Sequence, residues 1–323
     1  MPVQDEDPRA GATMLDQDIE TFVRSAIEAG NDLTNGEPVS IDRQRQIAEI
    51  VRRTWTAGGP AMQRSDDAAI GNNNLKVRVH VPETHDQRRG HLIYLHGGGW
   101  IMFSIDTHDR LMREYAHRSG LIVVGLDYSL SPEHRFPQAL DDVDTLYAWL
   151  DDEHGESVRF GGKRFIGGDS AGANLALCST LRRRDLAQSL PAGLILNYAA
   201  VDTARRGSHD RFDSDKYMLN SAEMADFWKA YLHGENTDDP YARPLLADLA
   251  GLPAIHMCIA ECDILLDENV ELRDRLIEAG CNVSSRIYEG ATHSFLEAVR
   301  ISGLADRAIQ DAADWLAAQA DGP

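Results

Sequence analysis

The chain has 323 residues, and 52 Asp and Glu against 32 Lys and Arg leave a formal net charge of −20. A hydrophobic share of 43% with 26% charged residues is the composition of a folded domain, not of a disordered tail. So large an acidic excess repels nucleic acid and anionic membrane surfaces, so neither is an expected partner.

Taken in chain order, residues 1–60 read as helix only, with Ile19, Phe22, Val23 and Ile27 at helical spacing. From residue 75 onward, β-rich runs alternate with helical stretches. Strands are expected at 75–81, 91–97, 121–128, 164–168, 192–199, 254–260 and 283–290. Helix-period segments fall at 106–119, 137–152, 171–187, 267–279 and 302–319, with Gly120 and Gly280 where glycines would end two of them. Several strands are almost continuously apolar, as where helices cover both faces of a sheet, and the βαβα rhythm predicts an α/β fold with a mostly parallel sheet. Residues 201–246 interrupt that rhythm with one helical segment at 221–233 and many polar residues. An insertion of this length in a compact domain reads as a lid or cap. No apolar run approaches the roughly 18 residues of a membrane span.

The strand at 164–168 runs into Gly168-Asp169-Ser170-Ala171-Gly172 and then a helix. This is G-x-S-x-G in its strand–turn–helix setting, where small flanking residues let the turn tighten and the serine hydroxyl stand exposed. The helix that follows directs its first N–H groups toward a developing negative charge. The strand at 91–97 ends in His96-Gly97-Gly98-Gly99-Trp100. Consecutive glycines let backbone N–H groups face a cavity, as an oxyanion hole requires. A phosphate cradle does not fit, because neither phosphate-loop pattern is present.

A serine nucleophile needs a base and an acid to orient it. In this kind of fold they follow in the order serine, acid, histidine. Past the strand at 283–290, His293 is the histidine at such a loop position; His209 and His233 fall in the interruption and His256 within a strand. Glu261, Asp263, Asp267 and Glu268 follow the strand at 254–260. Asp263, just past the strand end, is favoured, and Asp267 reads as a helix-start residue accepting free N–H groups. Asp169 either tunes the surroundings of Ser170 or holds the turn.

With HGGGW, GDSAG, the stretch from Asp127 to Pro137, THDRLMREYAHRSG (107–120), CDILLDE (262–268) and ATHSF (291–295) in order over residues 91–296, the chain resembles the hormone-sensitive-lipase-like branch of the α/β-hydrolases, bacterial acetyl esterases above all. The resemblance implies an eight-stranded, mostly parallel sheet flanked by helices. It also implies a helical cap from residues 1–60 and 201–246 over a core of 61–200 and 247–323. It implies Ser170 as nucleophile, His293 as base, Asp263 as acid, and the N–H groups of Gly98, Gly99 and Ala171 as the oxyanion hole. Two departures stand out: Ile264 where the family's acid motif has proline, and Ser129 and Ser131 where it usually has Arg and Ala.

The expected activity is hydrolysis of a small uncharged ester with a short acyl chain, with bulky Trp100, Met102 and Phe103 beside the glycine loop, and Asp169 beside Ser170, as substrate contacts. An amidase, formamidase or lactonase on the same triad, or a non-catalytic ligand-binding member of the fold, are the other readings. No cofactor and no metal are expected: Cys178, Cys258, Cys262 and Cys281 lack zinc spacing, and Asp213-Ser214-Asp215 lacks the rest of a calcium loop. His108 and His117 are expected on a helix surface. Few cysteines and a polar, acidic N-terminus without signal-peptide character point to the cytoplasm. Monomer and homodimer stay equally open.

Overall fold

In the computed structural model of the chain the described residues are 14–84, 89–152, 161–232 and 238–322, so His233 and the first thirteen residues lie outside them. The strands are β1 (Arg64–Ile70), β2 (Leu75–Val81), β3 (Gly90–Leu95), β4 (Ile122–Asp127), β5 (Lys163–Asp169), β6 (Gly193–Asn197), β7 (Ala254–Cys262) and β8 (Val283–Thr292). They form one sheet in the order β1-β2-β4-β3-β5-β6-β7-β8. The pairs β1–β2 and β2–β4 are antiparallel, and every pair from β4 to β8 is parallel. Seven of these strands coincide with the β-rich runs of the sequence. The eighth, β1, has the sequence RSDDAAI and alternates between half-buried and exposed residues, so it carries no apolar run. Its outward acids suit an edge strand, where charge discourages pairing with another chain.

Helices cover both faces. Those on one side are α3 (Asp109–Ser119) and α9 (Gly303–Asp321), packed on Leu92, Tyr94, Val123 and Phe165. On the other lie α4 (Gln138–Asp151), α5 (Ala171–Asp185) and α8 (Leu266–Glu278), packed on Ile93, Leu95, Val124 and Ile166. Because both faces are covered, β3 is buried at every residue and β5 at all but its first two, which explains the near-continuous apolar runs.

Before the sheet come α1 (Gln17–Thr34) and α2 (Ile41–Thr56). The Asp16 side chain caps α1 by accepting the N–H groups of Asp18 and Ile19. Of the expected apolar stripe, Ile19, Phe22 and Val23 are buried and Ile27 is half-buried, and the Phe22 ring meets Trp55 of α2 edge-on at 4.8 Å. The Asp16 N–H also bonds the Gly290 carbonyl at 3.1 Å, fastening the start of α1 to β8. Arg45 of α2 reaches in the other direction, forking onto Glu133 and donating to the carbonyls of Ser131 and Ile101. Between β6 and β7 the chain forms α6 (Gly207–Phe212) and α7 (Ser221–Tyr231), where the long interruption was expected. No helix among the described residues is long and apolar enough to cross a membrane.

Candidate active site

Strand order places the site. From β3 the sheet extends to one side through β4 and to the other through β5, and the crevice beyond the strand ends at such a switch point is where ligands bind in open α/β sheets. Leu95 is paired with Gly168, so the glycine loop after β3 and the serine turn after β5 emerge side by side although about 70 residues separate them. Cys262 is paired with Thr292 beyond an irregularity in the β7–β8 ladder. The next residue on each strand is Asp263 and His293 respectively, so register alone makes them neighbours.

The side chains close into a chain of hydrogen bonds. Ser170 Oγ lies 2.9 Å from His293 Nε2, and His293 Nδ1 lies 2.7 Å from Asp263 Oδ2. The other oxygen of Asp263 accepts the Leu265 N–H at 3.0 Å, which fixes the carboxylate's orientation. All three residues are buried, with Ser170 and His293 each 6% exposed, and the Tyr198 ring stands edge-on to the imidazole at 5.0 Å.

The other acids face elsewhere. Glu261 accepts the Gly290 N–H and Glu268 the Val201 N–H. Asp267 does accept a free N–H at a helix start, but that of Ser208 in α6 and not one of its own helix, and it also pairs with Arg211. The four cysteines are free; burial pushes the thiols of Cys178 and Cys258 well up and that of Cys262 up to about 12, which leaves them poor nucleophiles at neutral pH.

Ser170 has φ 53°, a left-handed conformation that a serine adopts only where its surroundings impose it. The Ser170 N–H is held by the Asn197 carbonyl at 2.9 Å. Gly172 makes the close approach possible, because a Cβ there would stand 1.9 Å from the Leu95 carbonyl oxygen. The glycine loop is equally constrained: a Cβ on Gly99, at φ 59°, would stand 2.4 Å from the Phe227 ring of α7. The Gly97 N–H is taken by Asp169, whereas those of Gly98 and Gly99 meet no acceptor among the described residues. Ala171 opens α5, so its N–H has no intrahelical partner.

Behind the loop, His96 is locked. Its Nδ1 bonds the Gly97 carbonyl at 2.7 Å, so Nδ1 carries the proton, and its ring stacks on Tyr128 at 4.3 Å. Burial and the neighbouring His108 lower its pKa to about 3, so it is neutral.

Two expected substrate contacts are placed differently from the sequence reading. Trp100 is fully buried and stacks flat on Tyr231 at 4.3 Å, with Trp228 at 4.5 Å, so its ring ties the glycine loop to α7. Asp169 is buried beneath the loop, where Oδ1 accepts Tyr94 O–H at 2.9 Å and Gly97 N–H at 3.2 Å, which makes it a holder of the turn. Burial alone would raise its carboxyl, but His108 and the hydrogen bond from Tyr94 outweigh that and hold it below the ordinary carboxylate value.

Met102 and Phe103 do line a cavity of about 640 Å³, together with residues of α1 and α2 and with Glu223, Asp226 and Phe227 of α7. His108 is a further correction. It is 1% exposed and points inward at Asp169, with Nε2 3.4 Å from Oδ2, while His117 is exposed as expected. Sequence reasoning also passed over Tyr94, Phe227, Arg52 and Glu297, whose partners all lie far away along the chain.

A family model described as alpha/beta hydrolase fold matches residues 92–297. Acetyl esterases of Salmonella paratyphi A and Salmonella typhi are 33% identical over 293 residues, covering 88% of this chain and 88% of theirs. The solved esterase of Pyrobaculum calidifontis superposes with a TM-score of 0.85 at 28% identity, over 95% of this chain and 100% of that one. An esterase of the bacterial hormone-sensitive lipase family superposes with a TM-score of 0.80 at 25% identity, over 93% and 98%. The chain therefore belongs to the α/β-hydrolase family, in its hormone-sensitive-lipase-like branch.

Proposed function

We propose that the protein hydrolyses short-chain carboxylic esters through a Ser170–His293–Asp263 triad. The observation that carries this reading is the unbroken hydrogen-bond chain from Ser170 Oγ through the imidazole to Asp263. A carboxylate on Nδ1 keeps that nitrogen protonated and leaves the Nε2 lone pair facing the serine hydroxyl. His293 Nε2 takes the hydroxyl proton as Oγ attacks the ester carbonyl. The N–H groups of Gly98, Gly99 and Ala171 receive the oxyanion. The imidazolium returns its proton to the leaving alcohol, and water, activated by the same nitrogen, releases the acid from the acyl-serine. The acetyl esterases among its relatives support an ester substrate.

Two features of the cavity support the choice of substrate. The Phe227 ring lies against Gly99 and also lines the cavity with Met102 and Phe103, so bulky side chains crowd the glycine loop, which favours a small acyl group. Glu223 and Asp226 outnumber Arg52 among the charged residues of the same lining, so an ester bearing its own carboxylate meets a net like charge. The helices α1, α2 and α7 would serve as the cap that sets this selectivity. On a series of p-nitrophenyl esters, kcat/KM is expected to peak at the shortest acyl chains, and Phe227→Ala to move the peak to longer ones. A wild-type maximum at decanoyl or longer would overturn the short-chain reading.

The oxyanion hole makes its own prediction. Gly99→Ala drives a methyl group into the Phe227 ring in a backbone region unfavourable to alanine. Its expected cost is about two orders of magnitude in kcat, the scale of a lost oxyanion donor. Steady-state hydrolysis of p-nitrophenyl acetate measures it, and wild-type turnover in this variant would remove Gly99 from the assignment.

A further inference from the structure

Arg52 of α2 is 6% exposed, an unusual position for a guanidinium brought in from a helix outside the sheet's own layers. It is ion-paired with Glu297, which is itself buried. Glu297 Oε1 stands 3.7 Å from His108 Nε2, and the same nitrogen stands 3.4 Å from Asp169 Oδ2. Asp169 in turn holds the Gly97 N–H and immediately precedes Ser170. The line of charge thus runs without a gap from α2 to the glycine loop. The Arg52 guanidinium also lies over the Phe103 ring at 4.6 Å and the Phe22 ring at 5.8 Å, which fixes its plane from two sides.

We propose that Arg52 is a positioning residue for ester hydrolysis, holding Glu297 and His108 so that Asp169 keeps the glycine loop in its oxyanion-binding shape. The proposal rests on the esterase reading above. Asp169 and Glu297 are two carboxylates converging on one imidazole, and their mutual repulsion in a buried setting needs a cation beside them. His108, Asp169 and Glu297 place their ligating atoms within 4.8 Å of one another, a spacing that a metal ion would also accept. The guanidinium already at Glu297 makes Arg52 the cation of this cluster. Burial lowers its pKa only to about 10, so it stays charged at neutral pH. Arg52 touches the wall of the substrate cavity as well, so a direct binding role has to be separated from a positioning one.

The test uses the full chain and three variants: Arg52→Met, Glu297→Gln, and the two combined. A fluorophosphonate titration counts competent Ser170 sites, so that kcat is expressed per reactive serine and unfolded protein drops out. Arg52→Met is expected to lower kcat per site by about 10- to 30-fold, part of the loss known for a missing oxyanion donor. KM should move by less than about threefold, because the residue acts through the loop and not on the substrate. The combined variant, which removes both members of the Arg52–Glu297 pair and so the repulsion between Glu297 and Asp169, should recover to within about fivefold of wild type.

A loss of titratable sites with unchanged kcat per site would reduce Arg52 to a purely structural role and overturn the proposal. So would a rise in KM alone, or a combined variant no better than Arg52→Met. If Arg52→Met does not fold, the combined variant decides against the same fivefold limit. Failure of the underlying reading looks different, because the wild-type chain would then show no titration or turnover that Ser170→Ala removes.

Discussion

Replacing Ser170 with alanine is expected to lower ester turnover by about four orders of magnitude or more, with the fold intact. The two halves of that expectation have separate causes. Turnover falls because Oγ is the atom that attacks, and neither His293 nor the backbone donors can take its place. The fold survives because the turn is held by backbone and glycine contacts that alanine keeps: the N–H at position 170 still meets the Asn197 carbonyl, and Gly172 still packs against Leu95. The left-handed φ of 53° is imposed on alanine as on serine. Hydrolysis of p-nitrophenyl acetate and fluorophosphonate labelling, beside circular dichroism and a thermal melt, measure both halves. Near-wild-type turnover in a folded variant would sink the triad.

What could be read from the sequence follows physical locality. A parallel strand covered on both faces must be apolar throughout, so β3 to β7 appear as apolar runs, whereas β1, half in water at an edge with Asp66 and Asp67, does not. The residues of the candidate site stand out in the sequence because each follows a strand end: Ser170 after β5, Asp263 after β7, His293 after β8. Chain order and sheet register then bring together what the sequence only lists.

Side-chain direction was not legible. Trp100 beside a glycine loop looks like a substrate contact, but whether its ring faces the cavity or the core depends on Tyr231 and Trp228, more than 120 residues further on. His108 at a helix start looks solvent-exposed until Asp169 and Glu297 are packed against it. The acidic surplus behaves in the same way. As composition it argues against polyanion partners, and in the structure two of its carboxylates, Glu223 and Asp226, line the cavity beside α2 and α7, a placement that composition does not give.

The choice between Asp263 and Asp267 separates catalysis from structure, and Asp263→Asn is expected to cost about four orders of magnitude in kcat. The reason is the tautomer. Asp263 Oδ2 accepts from His293 Nδ1 at 2.7 Å, and an amide in its place can present an N–H there instead. The imidazole then keeps its proton on Nε2, pointing it at Ser170 Oγ, and has no lone pair with which to accept the serine proton. Asp267→Asn keeps one accepting oxygen, so it can still take the Ser208 N–H but loses the charged partner of Arg211, both in α6. That pair is substantially exposed, so its expected cost is about 1 kcal/mol or less of stability, with kcat within a few-fold of wild type. Steady-state kinetics and a urea midpoint on the two variants check both. The assignment fails if Asp267→Asn is the inactive one, or if Asp263→Asn turns over like wild type, because the carboxylate bonded to His293 would then not be the one that orients it.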